Sequence, residues 1–305
     1  MEHHDIVVIG SGPAGLSTAL ALSQASLKDV VVLERESEAG GIPRHCGHKG
    51  YAPYKNFGLM TGPNLARQLR DQTKHLDIRT STTVLEFTLR GTLRVHSANG
   101  ITEMSANKIV LATGTRESSR AARLVGGNKL TGIMNTGELQ QRVYLNGERP
   151  FKRPVIVGSE WVSYSTLLTC RHLQVKPVML LAEQSENTAP SYFAWGARLL
   201  GTKVLNGGKL IAIHGTSSVE AVEIEQSGRT RMVDCDAVIL TGKFRSEDAL
   251  YSNGYLEREN HAPKVTDIFK TSKSNIYAVG NVLGHLETAG QCMVQGRELA
   301  KVLTQ

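Results

Sequence analysis

The chain has 305 residues, 40% hydrophobic and 21% charged, and its 35 Lys and Arg against 28 Asp and Glu give a formal charge of +7. That is the make-up of an ordinary globular protein of about two domains, which excludes disordered and fibrous chains. No apolar run approaches the roughly 18 residues of a membrane span; basic residues are scattered and aromatics are only 5%, so no membrane span and no nucleic-acid partner is expected.

Met1 to Asp5 leads straight into an apolar run without a secretory signal pattern, so a cytoplasmic location is expected. Asp5 to Ile9 reads as a strand buried on both faces. Gly10-Ser11-Gly12-Pro13-Ala14-Gly15, a helix over Leu16 to Ala25 and a strand over Val30 to Leu33 ending at Glu34 complete a β-α-β unit. A helix over 63–76 and strands near 78–89, 92–97 and 101–104 follow, turned at Arg90-Gly91 and Asn99-Gly100. A buried strand over Lys108 to Ala112 stops at Thr113-Gly114. The polar stretch from Arg116 to Thr131 reads as a crossing between domains.

A second α/β pattern begins with a strand over Pro154 to Val157, a helix over 159–173 and a strand over 176–181. A helix over 191–200 and strands near 203–206, 209–214, 219–225 and 236–240 come next. Residues 241–260 read as irregular, 276–279 as a strand and 288–303 as the closing helix. The expected fold is α/β: two Rossmann-like three-layer domains, the second inserted in the first. The boundaries fall at 1–117 with 246–305, and at 118–245.

Gly10, Gly12 and Gly15 fit G-x-G-x-x-G in its required strand–turn–helix context. They permit a tight turn, backbone approach to a pyrophosphate and close helix–strand packing. The helix N-terminus then holds the phosphates, and Glu34 accepts from a ribose diol. The four cysteines lie far apart, without C-x-x-C spacing, so zinc ribbons, cysteine-ligated clusters and short-spaced redox disulfides are not expected, nor is any other metal site.

The N-terminal unit, Gly40-Gly41, Val110-Leu111-Ala112-Thr113-Gly114, and Thr271 through Tyr277-Ala278-Val279-Gly280-Asn281 resemble the two-dinucleotide-domain flavoprotein oxidoreductases, relatives of the pyridine nucleotide-disulfide reductases with the glutathione-reductase-type fold. The loop Gly40 to His48, with Asn281-Val282 and Glu287-Thr288-Ala289-Gly290, is similar to the flavin subunits of opine oxidases, hydrogen cyanide synthase and dye-linked amino-acid dehydrogenases. The resemblance implies FAD on the first domain. Gly12, Pro13, Ala14 and Gly15 would take its pyrophosphate, Glu34 its ribose, with Arg35 and Val84 beside the adenosine. Gly41, Ala112, Thr113 and Gly114 would line the site. Gly280 and Asn281 would lie at the ribityl phosphate, where the family usually has Asp. The helix opening at Thr288-Ala289 would face the flavin pyrimidine edge, whose charge on reduction a helix N-terminus stabilises.

Against the family's three glycines, the second strand–turn–helix reads Gly158, Glu160 and Ser163, which counts against conventional NAD(P)H binding although Glu183 could still meet a ribose. The resemblance brings Arg44, His45, Cys46 and His48 towards the flavin as candidate catalytic residues, binding a substrate carboxylate and relaying a proton; equally, they are loop residues. Trp161 and Trp195 read as packing residues. His285 with Glu287 is either a flavin-edge pair or a loop hydrogen bond. The expected function is FAD-dependent oxidation of a small amine or amino-acid-like, carboxylate-bearing substrate, with a second oxidoreductase subunit as possible partner. The alternatives are an NAD(P)H-dependent flavoprotein reductase and a subunit whose flavin serves assembly.

Overall fold

The computed structural model describes residues 1–27, 29–51, 60–183 and 201–305. They divide into two units, one of Met1–Arg44, Lys49–Arg116 and Phe244–Gln305, the other of His45–His48 and Glu117–Lys243. The expected helix over 191–200, with Trp195, lies outside the described residues.

The first unit opens with β1 (Glu2–Ile9), α1 (Pro13–Gln24), β2 (Val30–Leu33), α2 (Gly62–Thr73), β3 (Asp77–Arg79), β4 (Thr83–Phe87), β5 (Thr92–Ser97) and β6 (Gly100–Leu111). β1 pairs in parallel with β2 and β6, setting Val7 opposite both Val31 and Ile109. The strand period of two then sorts the side chains. Val7, Ile9, Val31 and Leu33 pack with Phe87 and Leu93 on one face. Ile6, Val8, Val30 and Val32 pack on the other with Leu22 of α1 and Leu299 of the C-terminal helix. The two expected strands at 101–104 and 108–112 are one, β6, whose start pairs antiparallel with β5 while its remainder runs parallel to β1.

The second unit contains β7 (Ile133–Asn135), α3 (Thr136–Tyr144), β8 (Pro154–Val157), α4 (Trp161–His172), β9 (Met179–Ala182), β10 (Val204–Asn206), β11 (Gly208–His214), β12 (Ala221–Gln226), β13 (Arg229–Asp234) and β14 (Ala237–Leu240). Its main sheet runs β10-β9-β8-β14-β7, and β13-β12-β11 form a separate meander with Gly126–Gly127. The central strands β8, β9 and β14 are buried along their whole length, as parallel strands covered on both faces must be. The span 241–260, expected to be irregular, holds a short strand at Phe244–Ser246 and a 3-10 turn at Ala249–Tyr251.

The chain returns to the first unit with β15 (Ile276–Ala278), parallel to β6, and α5 (Ala289–Leu303). β15 completes a seven-stranded sheet of order β3-β2-β1-β6-β5-β4. Both units are therefore Rossmann-like α/β folds. Among the described residues no helix is long and apolar enough to cross a membrane.

Candidate functional site

β1 ends where Gly10 takes φ +104°, at a place where a Cβ would sit 2.5 Å from the Ala112 carbonyl oxygen. Gly12 is the N-cap of α1 with Pro13 at its first turn, a position suited to a residue without a free N–H. A Cβ on Gly15 would run into the Gly10 carbonyl oxygen, so only glycine lets α1 close onto the strand. At Gly12 the opposite holds: an added Cβ would meet nothing within 4 Å. No side chain caps α1 and no acid occupies its first turn, which leaves an open, positively polarised seat for an anion.

Two further segments build this cradle. Gly40 N–H donates to the Ser11 carbonyl (3.0 Å), and Gly41, with φ +62°, approaches so closely that its Cβ would lie 2.8 Å from Gly12 Cα. Glu34 is buried, with Oε2 accepting from Ser11 N–H (3.0 Å) and Ser11 Oγ (2.6 Å) and Oε1 from Glu36 N–H (2.9 Å). A carboxylate offers about four lone-pair positions, so acceptor capacity remains for a ribose hydroxyl. The part played by Ser11 was missed in the sequence, because it occupies a variable position of the glycine motif.

Ala112, which abuts Gly10 and Gly15, is buried; Thr113 Oγ1 donates to the Glu247 carbonyl (3.2 Å), and Gly114 takes φ +73°. Val84 is buried beside Phe87 and Val95. Exposed Arg35 lies 3.7 Å from the Glu247 carboxylate, which Arg116 also approaches (3.6 Å). Gly280, with φ +80°, sits against Ala14, where a Cβ would come within 2.7 Å, and this brings the segment before α5 up to the cradle. Asn281 closes its own loop: Oδ1 accepts from Glu287 N–H (2.8 Å) and Nδ2 donates to the Glu287 carbonyl (3.3 Å). The loop bonds to Glu287 are thus made by Asn281, while His285 is exposed. Thr288 caps α5 by accepting from Gln291 N–H (3.2 Å), and Ala289 is the first helical residue.

The four candidate catalytic residues are not gathered in one unit. Arg44 belongs to the first. Its methylenes line Gly40, its side chain is only 10% exposed, and its Nε lacks a hydrogen-bond partner among the described residues, with Glu38 at 3.6 Å. His45, Cys46 and His48 belong to the second unit. Cys46 Sγ donates to Gln140 Oε1 (3.0 Å), and the Tyr144 ring fills the place a Cβ on Gly47 would take.

In the second unit, β8-α4 repeats β1-α1 with different contents. Gly158, at φ +142°, donates its N–H to the Leu181 carbonyl (2.8 Å) as Gly10 does to Leu33 (2.9 Å). The N-cap is Glu160, whose Oε2 accepts from Ser159 N–H (3.1 Å) and Ser163 Oγ (3.1 Å) and lies 3.4 Å from Thr241 Oγ1. Ser163 and Thr241 hydroxyls are 2.6 Å apart, and Thr241 donates to the Val157 carbonyl (3.0 Å). Glu183 is paired with Lys243 (2.7 Å). Arg123 donates to the carbonyls of Thr241 (2.8 Å) and Gly242 (2.6 Å). Buried Glu117 accepts from Gly137 N–H (2.9 Å) and Gly242 N–H (3.0 Å), and burial raises its pKa despite those bonds. Trp161, expected to pack, is 57% exposed as the first residue of α4, directly after the N-cap Glu160.

The four cysteines are buried and form no disulfide. Burial pushes the thiols of Cys170 and Cys235 up to about 12 and that of Cys292 to about 11, which keeps them protonated and unreactive at neutral pH.

A family model described as pyridine nucleotide-disulphide oxidoreductase matches residues 4–296. A soluble pyridine nucleotide transhydrogenase of Vibrio parahaemolyticus is 26% identical, covering 100% of this chain and 71% of that protein. One from Photobacterium profundum is 25% identical, covering 99% of this chain and 70% of its own. Thioredoxin reductase of T. acidophilum has the same fold, with a TM-score of 0.84 at 17% identity over 100% of this chain and 98% of that one. Members of the family bind FAD, and the open seat at Gly12 with Glu34 beside it fits that cofactor. The chain belongs to the pyridine nucleotide-disulphide oxidoreductase family.

Proposed function

We propose that this protein is an FAD-dependent oxidoreductase that exchanges electrons with a pyridine nucleotide and passes them to a small acceptor without a protein disulfide. The observation that carries the flavin assignment is the uncapped α1 N-terminus at Gly12, open where a side chain would otherwise stand and flanked by the Glu34 carboxylate. Similarity along the whole of this chain to transhydrogenases, of which it covers 71%, supports a pyridine nucleotide as the redox partner, and the retained β8-α4-β9 frame supports a second nucleotide site. FAD, when bound, supplies the two-electron chemistry. Ser11 and Glu34 hold the turn that would receive it, Gly41 and Gly280, which close on Gly12 and Ala14, would help hold it, and the N-terminus of α5 favours negative charge in front of it. The buried thiols, held protonated, support an acceptor other than a dithiol.

The test is spectroscopic. The purified protein is expected to be yellow, to release FAD and not FMN on denaturation, and to bleach anaerobically with NADH or NADPH. A colourless protein that FAD cannot reconstitute would overturn the flavin assignment.

One observation favours a second reading, oxidation of a carboxylate-bearing amine with transfer of the electrons to a separate oxidoreductase subunit. Arg44 has a side chain only 10% exposed whose Nε, ion-paired at 3.6 Å with the exposed Glu38 carboxylate, makes no hydrogen bond among the described residues. A substrate carboxylate in hydrogen-bond reach would supply the short bond that Glu38 at 3.6 Å does not. Bleaching by an opine, proline or an N-methyl amino acid, weakened in KM by Arg44→Ala, would select this reading over the first.

A further inference from the structure

The carboxylate of Glu160 turns back into the loop it belongs to. Its Oε2 accepts from the Ser159 N–H and the Ser163 hydroxyl, and it stands 2.6 Å from where a Cβ on Gly158 would lie. On its other side a Cβ on Gly242 would collide with the carboxyl group itself. Glycine at 158 and 242 therefore makes room for a carboxylate at the C-terminal ends of β8 and β14. In the first unit the corresponding space, above Gly12, is open. Parallel α/β sheets bind nucleotide phosphates at this point, between a strand end and the following helix N-terminus.

We propose that Glu160 is a tethered anion occupying the phosphate seat of the second unit, so that a pyridine nucleotide binds only by displacing it. The inference rests on the pyridine-nucleotide reading above. The chain positions the carboxylate at a high effective concentration, in the turn before the α4 N-terminus that a pyrophosphate would approach. Charge sharpens the competition, since a dianionic pyrophosphate and an ionised carboxylate cannot share one small seat. Displaced, the carboxylate still has Arg123, which donates to the carbonyls of Thr241 and Gly242 and attracts Glu160.

The experiment uses FAD-loaded protein and compares wild type, Glu160→Gln and Glu160→Gly. NADH and NADPH are titrated anaerobically against flavin absorbance. ADP-ribose and adenosine are titrated by calorimetry. Both variants are expected to bind NADH and ADP-ribose about tenfold tighter or more, the scale of removing one like-charge contact, while adenosine, which has no phosphate, binds equally to all three. Glu160→Gln, nearly isosteric and able to keep part of the hydrogen bonding, guards against a misfolded glycine variant. If wild type is reduced at the same NADH concentration as both variants, the tethered anion is wrong and the pyridine-nucleotide reading stands. If adenosine tightens as much as ADP-ribose, the substitutions loosen the site generally and the proposal also fails. If no form is reduced by either nucleotide, the pyridine-nucleotide reading falls, and the proposal with it.

Discussion

The two strand–turn–helix segments, β1-α1 and β8-α4, share one backbone plan and differ in what fills its turn. Gly10 and Gly158 both take positive φ and donate to the second strand, and Ala112 and Thr241 donate back to Ile9 and Val157 at the same 2.9 Å. In the first unit three glycines then keep side chains out, so the helix touches the strand and its N-terminus stays open. In the second, Ser163, Thr241 and Glu160 fill the gap with a chain of hydroxyl and carboxylate contacts. The acids ending the second strands diverge likewise. Glu34 is buried and bonded to the turn itself, whereas Glu183 reaches out to Lys243. A Rossmann frame is thus held by its strands, and its ligand is decided by a few positions in one turn.

The largest expected effect comes from closing the open cradle. Gly15→Ala places a methyl against the Gly10 carbonyl, where both partners are backbone and neither can swing aside. We expect a cost of about 3 kcal/mol in stability from the overpacking and protein purified without flavin. Ser163→Gly at the matching position should cost only about 1 kcal/mol, since it removes one hydroxyl and adds backbone freedom. Thermal melts and flavin content measured on the pair check the contrast. Equal losses would mean that the two turns pack alike.

Next come the two acids. Glu34→Gln leaves one acceptor oxygen for three donors, and we expect about 1–3 kcal/mol of lost stability together with weaker FAD retention. Glu183→Gln breaks a pair in which Lys243 is half exposed, which is worth less than about 1 kcal/mol, and flavin content should stay at the wild-type level. Flavin fluorescence on dilution measures both. A smaller effect, about 1 kcal/mol, is expected for Thr241→Val, which removes the hydroxyl joining Ser163 to the Val157 carbonyl.

How legible these features were depended on how local they are. The glycine turn, Glu34 and the double-sided strands could be read because spacing and apolar runs lie within a few residues. The short helix α3 went unread, although Asn135 accepts from Glu138 N–H (2.8 Å) in an ordinary N-cap pattern. β13 could not be read from periodicity, since its Arg229–Asp234 run is exposed along nearly its whole length and is held by pairing with β12, with Val233 packed against the core. The loop after Gly41 failed for the opposite reason. Arg44 and Cys46 are neighbours in sequence, but the Cys46 thiol is claimed by Gln140, a partner no spacing rule reaches. Glu160 was legible as an obstacle. That its carboxylate folds into its own turn depends on Thr241 and Gly242, which arrive from the far end of the second unit.

The smallest effect separates the units by pH. In the first, the Arg79 guanidinium holds Glu2 at about 2 instead of the ordinary 4.5. Stability from a depressed carboxylate is fully present above 4.5 and is lost as the pH falls towards 2. Glu2 is about half exposed, so the loss should stay below about 1 kcal/mol. In the second unit burial raises Glu117 above 4.5. Its neutral form is the one the fold prefers, so its contribution is fully present below 4.5 and is lost as the pH rises through the folded value. Acidification from neutrality to 4.5 should therefore raise the global stability of the second unit, read as amide protection factors in β8 and β14 after correction for the intrinsic pH dependence of exchange, and further acidification should lower the protection factors in β1 and β3. Glu117→Gln should flatten the first response and Glu2→Gln the second. If the protection factors in β8 and β14 instead fall between pH 7 and 4.5 in wild type but not in Glu117→Gln, the buried carboxylate is stabilised as an anion and the sign assigned to it is wrong.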